Sequence, residues 1–124
     1  MEENLSEDKA KDILKNWLTK EGWKSEIAFG NKKGADIVAS KDSSTWIIEV
    51  KGTASRPPMF NNYFLSIIGE ILQRMDTSAA KYSIAFPNNQ KFKRLWNELP
   101  SEAKKRLGIT MLIVHSDGEI EEVN

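Results

Sequence analysis

The chain has 124 residues, with 18 Lys and Arg balancing 18 Asp and Glu, 40% hydrophobic residues, no cysteine and one histidine. That length is expected to form one domain over residues 1–124, large enough to bury a core without a disulfide or structural metal. The composition excludes thiolate zinc sites, iron–sulfur clusters, thiol nucleophiles and, with His115 alone, any multi-histidine metal site within the chain.

The N-terminus is acidic and then amphipathic, with no apolar signal core, and no stretch approaches a membrane span. A soluble, cytoplasmic protein without a membrane partner is expected. Ala10, Ile13, Leu14, Trp17 and Leu18 recur at three- and four-residue steps, which predicts a first helix, capped by Asn4 or Ser6 and ended by Gly22. Trp23–Phe29 and Ala35–Ser40 read as short strands joined by a turn-rich link, and Thr45–Lys51 as a third strand after the polar turn 41–44. Residues 52–62, with Arg56-Pro57-Pro58, read as a loop, because consecutive prolines remove backbone donors. Phe64, Ile67, Ile68, Ile71, Leu72 and Met75 mark a second helix, and Tyr82–Phe86 a fourth strand. Residues 91–107 read as helix in two pieces divided at Pro100. Ile109–Val114 is an apolar strand, followed by an Asp117-Gly118 turn and a short acidic end that allows one more strand. The order α-β-β-β-α-β-α-β predicts an α/β fold: an antiparallel meander, then a parallel crossover in the strand–helix–strand at the end, in a mixed sheet with helices on both faces.

The chemistry concentrates in Gly34-Ala35-Asp36 and in Ile47-Ile48-Glu49-Val50-Lys51-Gly52. Alternation along a strand points Glu49 and Lys51 to one face, and a hairpin between the second and third strands would bring Asp36 beside them. Two converging carboxylates suit a hard divalent cation, Mg²⁺ or Mn²⁺, which lowers the pKa of water and withdraws charge from a phosphoryl group. A lysine beside them can orient the attacking water or stabilise the charge that develops in the transition state.

This pattern, Gly-x-Asp, an apolar strand, a turn, then apolar-apolar-Glu-x-Lys, resembles the PD-(D/E)xK nuclease superfamily with its restriction-endonuclease-like fold, and most of all the Holliday junction resolvase and Mrr-type catalytic domains. The likeness spans about residues 5–86 and is strongest over Gly34–Gly52. It implies an αβββαβ core, Asp36 and Glu49 as Mg²⁺ or Mn²⁺ ligands with the Val50 carbonyl as a third, and Lys51 as the catalytic lysine. Ala35 stands where the family name has proline. Related domains often carry a Glu in the first helix, which would fall near Ala10 and Lys11; the nearby acids are Glu7, Asp8 and Asp12, and Glu26 on the first strand is a further candidate. Several relatives place a polar residue of the second helix near the site. With about 100° between successive residues, Glu70 flanks the apolar stripe and Gln73 lies roughly opposite it, so Glu70 is the better placed.

Charge is unevenly spread: residues 31–60 carry a net +2, 91–107 a net +4 and 108–124 a net −4. Lys32, Lys33, Arg56, Lys91, Lys93 and Arg94 are therefore candidate nucleic-acid contacts. The sequence points to a metal-dependent deoxyribonuclease, an endonuclease rather than an exonuclease, working on DNA as a homodimer or within a larger complex. The alternatives are a non-cleaving nucleic-acid- or protein-binding module, and an accessory subunit of a defence, recombination or mobile-element system.

Overall fold

A computed structural model of the chain describes residues 4–29 and 34–124. Helix α1 (Glu7–Lys20) starts at Ser6, whose side chain accepts a hydrogen bond from the Lys9 N–H, and carries Glu7 and Asp8 where the helix dipole favours acids. Strands β1 (Lys24–Ile27), β2 (Ile37–Lys41) and β3 (Ser44–Val50) form the expected antiparallel meander. Helix α2 (Pro58–Gln73) returns the chain to β4 (Ala80–Pro87), parallel to β3. Helices α3 (Gln90–Asn97) and α4 (Ser101–Leu107) lead to β5 (Ile109–Val114), parallel to β4, and β6 (Ile120–Val123) closes the sheet antiparallel to β5.

The expected loop over residues 52–62 is shorter than the sequence suggested. Pro57 and Pro58 open α2 instead of blocking it, since Pro58 stands at the first helical position, where its missing N–H is one the helix leaves unbonded anyway. Strand edges also shift: β2 begins at Ile37 and β3 ends at Val50, so Asp36 and Lys51 sit one residue outside their strands. β1 is trimmed to four residues.

Among the described residues six strands lie in the order β1-β2-β3-β4-β5-β6, so spatial order follows chain order. One apolar layer joins Leu14 and Leu18 of α1 to Ile37, Trp46, Ile48, Val50 and Leu112 on one face of the sheet. On the other face Phe60, Phe64, Ile67 and Ile71 of α2, with Phe92 and Trp96 of α3, pack on Ile84, Phe86 and Met111. A polar seam crosses the first of these faces. Trp46 Nε1 donates to Ser83 Oγ (2.9 Å), Ser83 Oγ shares a hydrogen bond with Thr110 Oγ1 (2.6 Å), and Thr110 Oγ1 donates to Glu122 Oε2 (2.8 Å). Lys81 pairs with Glu122 at 2.8 Å and lies over the Trp46 ring. No helix among the described residues is long and apolar enough to cross a membrane.

Candidate active site

The β2–β3 register places Ile37 opposite Ile48, which brings Asp36 opposite Glu49 at the end of the hairpin. The two residues hold each other reciprocally: the Asp36 N–H donates to Glu49 Oε2 (2.9 Å), and the Val50 N–H donates to Asp36 Oδ2 (2.8 Å). Asp36 is tied to β1 as well, its carbonyl accepting from the Ala28 N–H (2.8 Å). The Lys51 N–H donates to Ala85 O of β4. Val50 therefore turns its own N–H and C=O away from β4, toward Asp36, because the two groups of one strand residue point to the same side.

Glu49 is only 2% exposed. Burial, aided by the Asp36 and Glu70 charges and opposed by the Asp36 N–H and Arg74, pushes its carboxyl up to about 7. The half-buried Lys51 ammonium lies 2.9 Å from Glu70 Oε1 and is thus held by α2. Glu70 is in this way brought to the cluster, as its place on the helix suggested, whereas Gln73 is exposed.

Two cations that the sequence did not flag complete the arrangement. Lys11, 1% exposed, reaches from α1 to Asp36 Oδ1 (3.3 Å), Glu7 Oε2 (3.0 Å) and Ala28 O (2.6 Å). Burial opposes its charge, but Glu7 and Asp36 outweigh that effect and hold the ammonium above its ordinary range. Arg74, just past the end of α2, places Nε 3.7 Å from Glu49 Oε2 and donates from Nη2 to Gly34 O (3.0 Å). Its buried Nε makes an ion pair without a hydrogen bond. A signal for both was present: Lys11 falls on the spacing of Leu14 and Leu18, and Arg74 on that of Ile67 and Ile71, so each is a cation at a core-facing position.

α1 is fixed to this end of the sheet by close backbone approach. The Thr53 N–H donates to Leu5 O, and the Leu5 N–H to Thr53 Oγ1. Gly52 sits so tightly against the start of α1 that a Cβ there would collide with the Glu7 backbone nitrogen.

Of the other acids considered, Glu7 joins the cluster through Lys11, while Asp8, Asp12 and Glu26 are exposed. Lys32 and Lys33 lie outside the described residues. Arg56 is exposed before α2; Lys91, Lys93 and Arg94 lie on α3, in the helical layer that holds α2. Among the described residues no group of three or more Asp, Glu or His side chains could hold a metal ion. The oxygens that would be left to hold a divalent cation here are those of the Asp36 and Glu49 carboxylates and the Val50 carbonyl. These hard oxygens suit Mg²⁺ or Mn²⁺. The wider cluster has four carboxylates, Glu7, Asp36, Glu49 and Glu70, against three cations, Lys11, Lys51 and Arg74. With all ionised, a net negative charge is left beside a buried carboxylate, and the residues fit one such ion.

Neither a family model nor a curated protein matches the sequence. Solved structures do match its fold. A XisH family protein from Nostoc punctiforme is 20% identical, with a TM-score of 0.56 over 92% of this chain and 98% of that one. An FdxN element excision controlling factor protein from Anabaena variabilis is 19% identical, with a TM-score of 0.56 over 91% of this chain and 96% of that one. The chain shares with them the restriction-endonuclease-like fold, an αβββαβ core with a mixed sheet between helices.

Proposed function

We propose that this chain is a metal-dependent nuclease that hydrolyses phosphodiester bonds in DNA. The observation that carries the reading is the interlocked pair of Asp36 and Glu49 at one sheet end, with the Lys51 ammonium paired to Glu70, whose charge acts on Glu49. The nuclease-like fold supports it, as does a structural neighbour named as an FdxN element excision controlling factor.

Asp36, Glu49 and the Val50 carbonyl would hold Mg²⁺ or Mn²⁺, which when bound supplies Lewis acidity and a lowered water pKa. The chain's own residues do the rest. The Asp36 N–H and Arg74 keep the buried Glu49 carboxylate aimed at the site. Lys51 is partly exposed and pairs with a partly exposed Glu70, so its ammonium can turn to a phosphoryl oxygen and stabilise the charge that builds there. Arg56, Lys91, Lys93 and Arg94 are the described cations that would grip the phosphate backbone, and cutting both strands would require a second copy of the chain.

The test is a panel of linear, nicked, single-stranded and four-way-junction DNA with Mg²⁺, with Mn²⁺ and with EDTA. Cleavage is expected with metal and not with EDTA, and Asp36→Asn or Glu49→Gln should lower it by about a thousandfold or more while the circular dichroism spectrum is unchanged. A wild-type protein that cuts none of these overturns the reading. A second reading, a nuclease-like module that binds without cutting, is favoured by Lys11 and Arg74 already pairing with the two carboxylates. Binding of the same panel without cleavage would establish it.

A further inference from the structure

We propose that Lys11 is a resident cation of the carboxylate pair, a positioning residue that fixes Asp36, restricts the site to a single divalent ion and weakens the hold on that ion. The inference rests on the metal-centre reading above and deepens it. An ammonium has three N–H donors, and Lys11 directs its group at three acceptors, Ala28 O, Glu7 Oε2 and Asp36 Oδ1. With its side chain 1% exposed, it has no solvent to turn toward. Its charge is therefore a fixed part of the site, unlike that of Lys51, which pairs with a half-exposed partner.

The consequences fall on Asp36. One carboxylate oxygen faces Lys11 and the other the Val50 N–H, so the group is held from both sides before any ion arrives. A cation on the α1 side of Asp36 takes the space and the lone pair that a second metal on that side would need. Glu7, the helix acid nearest the pair, is occupied with Lys11. The same charge, 3.3 Å from a ligand oxygen, repels the first metal ion through a poorly screened interior.

A lysine serving only as a buried structural ion pair makes the opposite prediction. Its removal would loosen Asp36 and leave metal affinity unchanged or lower. The direction of the change in affinity thus separates the two roles.

Mn²⁺ binding to the full chain is to be measured by titration calorimetry, with the Mn²⁺-induced shift in melting temperature as a second readout. The wild type is expected to take one ion per chain. Lys11→Met should bind Mn²⁺ about tenfold more tightly or accept a second ion, and Lys11→Arg should return to wild-type behaviour. Should Lys11→Met fail to fold, Lys11→Gln keeps a donor for Ala28 O without the charge and should show the same gain. Two ions in the wild type, or binding by the neutral variants that is no tighter than wild type, overturns the role of Lys11 while leaving the metal centre intact. Binding gained only in the neutral variants supports the role and overturns metal-dependent cleavage by the native chain. Absence of binding in every protein overturns both.

Discussion

The Glu49 carboxyl is shifted opposite to the common surface carboxylate, and the sign of its effect on stability follows. The unfolded chain releases this proton near the ordinary value of 4.5, whereas the folded site holds it up to about 7. Between those values the native state binds more protons than the unfolded one, so stability contributed at lower pH is lost as pH rises through the interval. The loss is on the order of 3 kcal/mol. Denaturant unfolding of metal-free protein, followed from about pH 5 to about pH 8, should show this decline in wild type and a much flatter curve in Glu49→Gln. On the proposed metal reading an ion would compete with that proton, and Mn²⁺ affinity should rise over the same range. Lys51→Met should lower cleavage about a hundredfold with little change in Mn²⁺ affinity, since its ammonium pairs with Glu70. The pair Asp36 and Glu49 was legible in sequence because strand alternation and a short hairpin determine who faces whom. Lys11 and Arg74 were not, because a charged residue at one end of an apolar stripe is usually read as solvated, and only tertiary packing shows that it is covered.

Helices and strands explain how those side chains are kept in place. Gly52, directly after Lys51, is where the backbone of α1 meets that of the segment leaving β3, and the atoms a Cβ would strike are Glu7 N, Ser6 C and Leu5 O, none of which can rotate away. Gly52→Ala should therefore push the start of α1 off the sheet at a cost of about 2–3 kcal/mol. It should also reduce cleavage about a hundredfold, because Lys11 and with it Asp36 move with the helix. Thermal melting and single-turnover cleavage check the two effects separately. Most element boundaries were readable from periodicity to within a few residues, since apolar stripes at helical spacing and short β-branched runs leave little choice. The start of α2 was not, because Pro57-Pro58 ends regular structure in a strand but can begin it in a helix, and nothing local distinguishes the two.

At the scale of the molecule, strands β3 to β6 are stitched together by the seam from Trp46 through Ser83 and Thr110 to Glu122. Ser83→Ala would leave the buried Trp46 N–H without its acceptor, and should lower stability by about 1–2 kcal/mol in denaturant titration without affecting Mn²⁺ binding at the other end of β3. Antiparallel first and parallel later was legible from the order of strands and helices; the seam was not, because it joins residues far apart in sequence whose alignment depends on register. The sheet's agreement between spatial and chain order has a consequence for the protein's birth on the ribosome. Every strand after β1 emerges when the neighbour it will pair with has already been made, so the sheet can grow at a single edge without waiting for distant sequence. Lys11 leaves the ribosome ahead of both Asp36 and Glu49, and Arg74 well after them. The nascent hairpin that first brings the two acids together can thus find a counter-charge already waiting in α1, and is spared their mutual repulsion while the rest of the chain is still being translated.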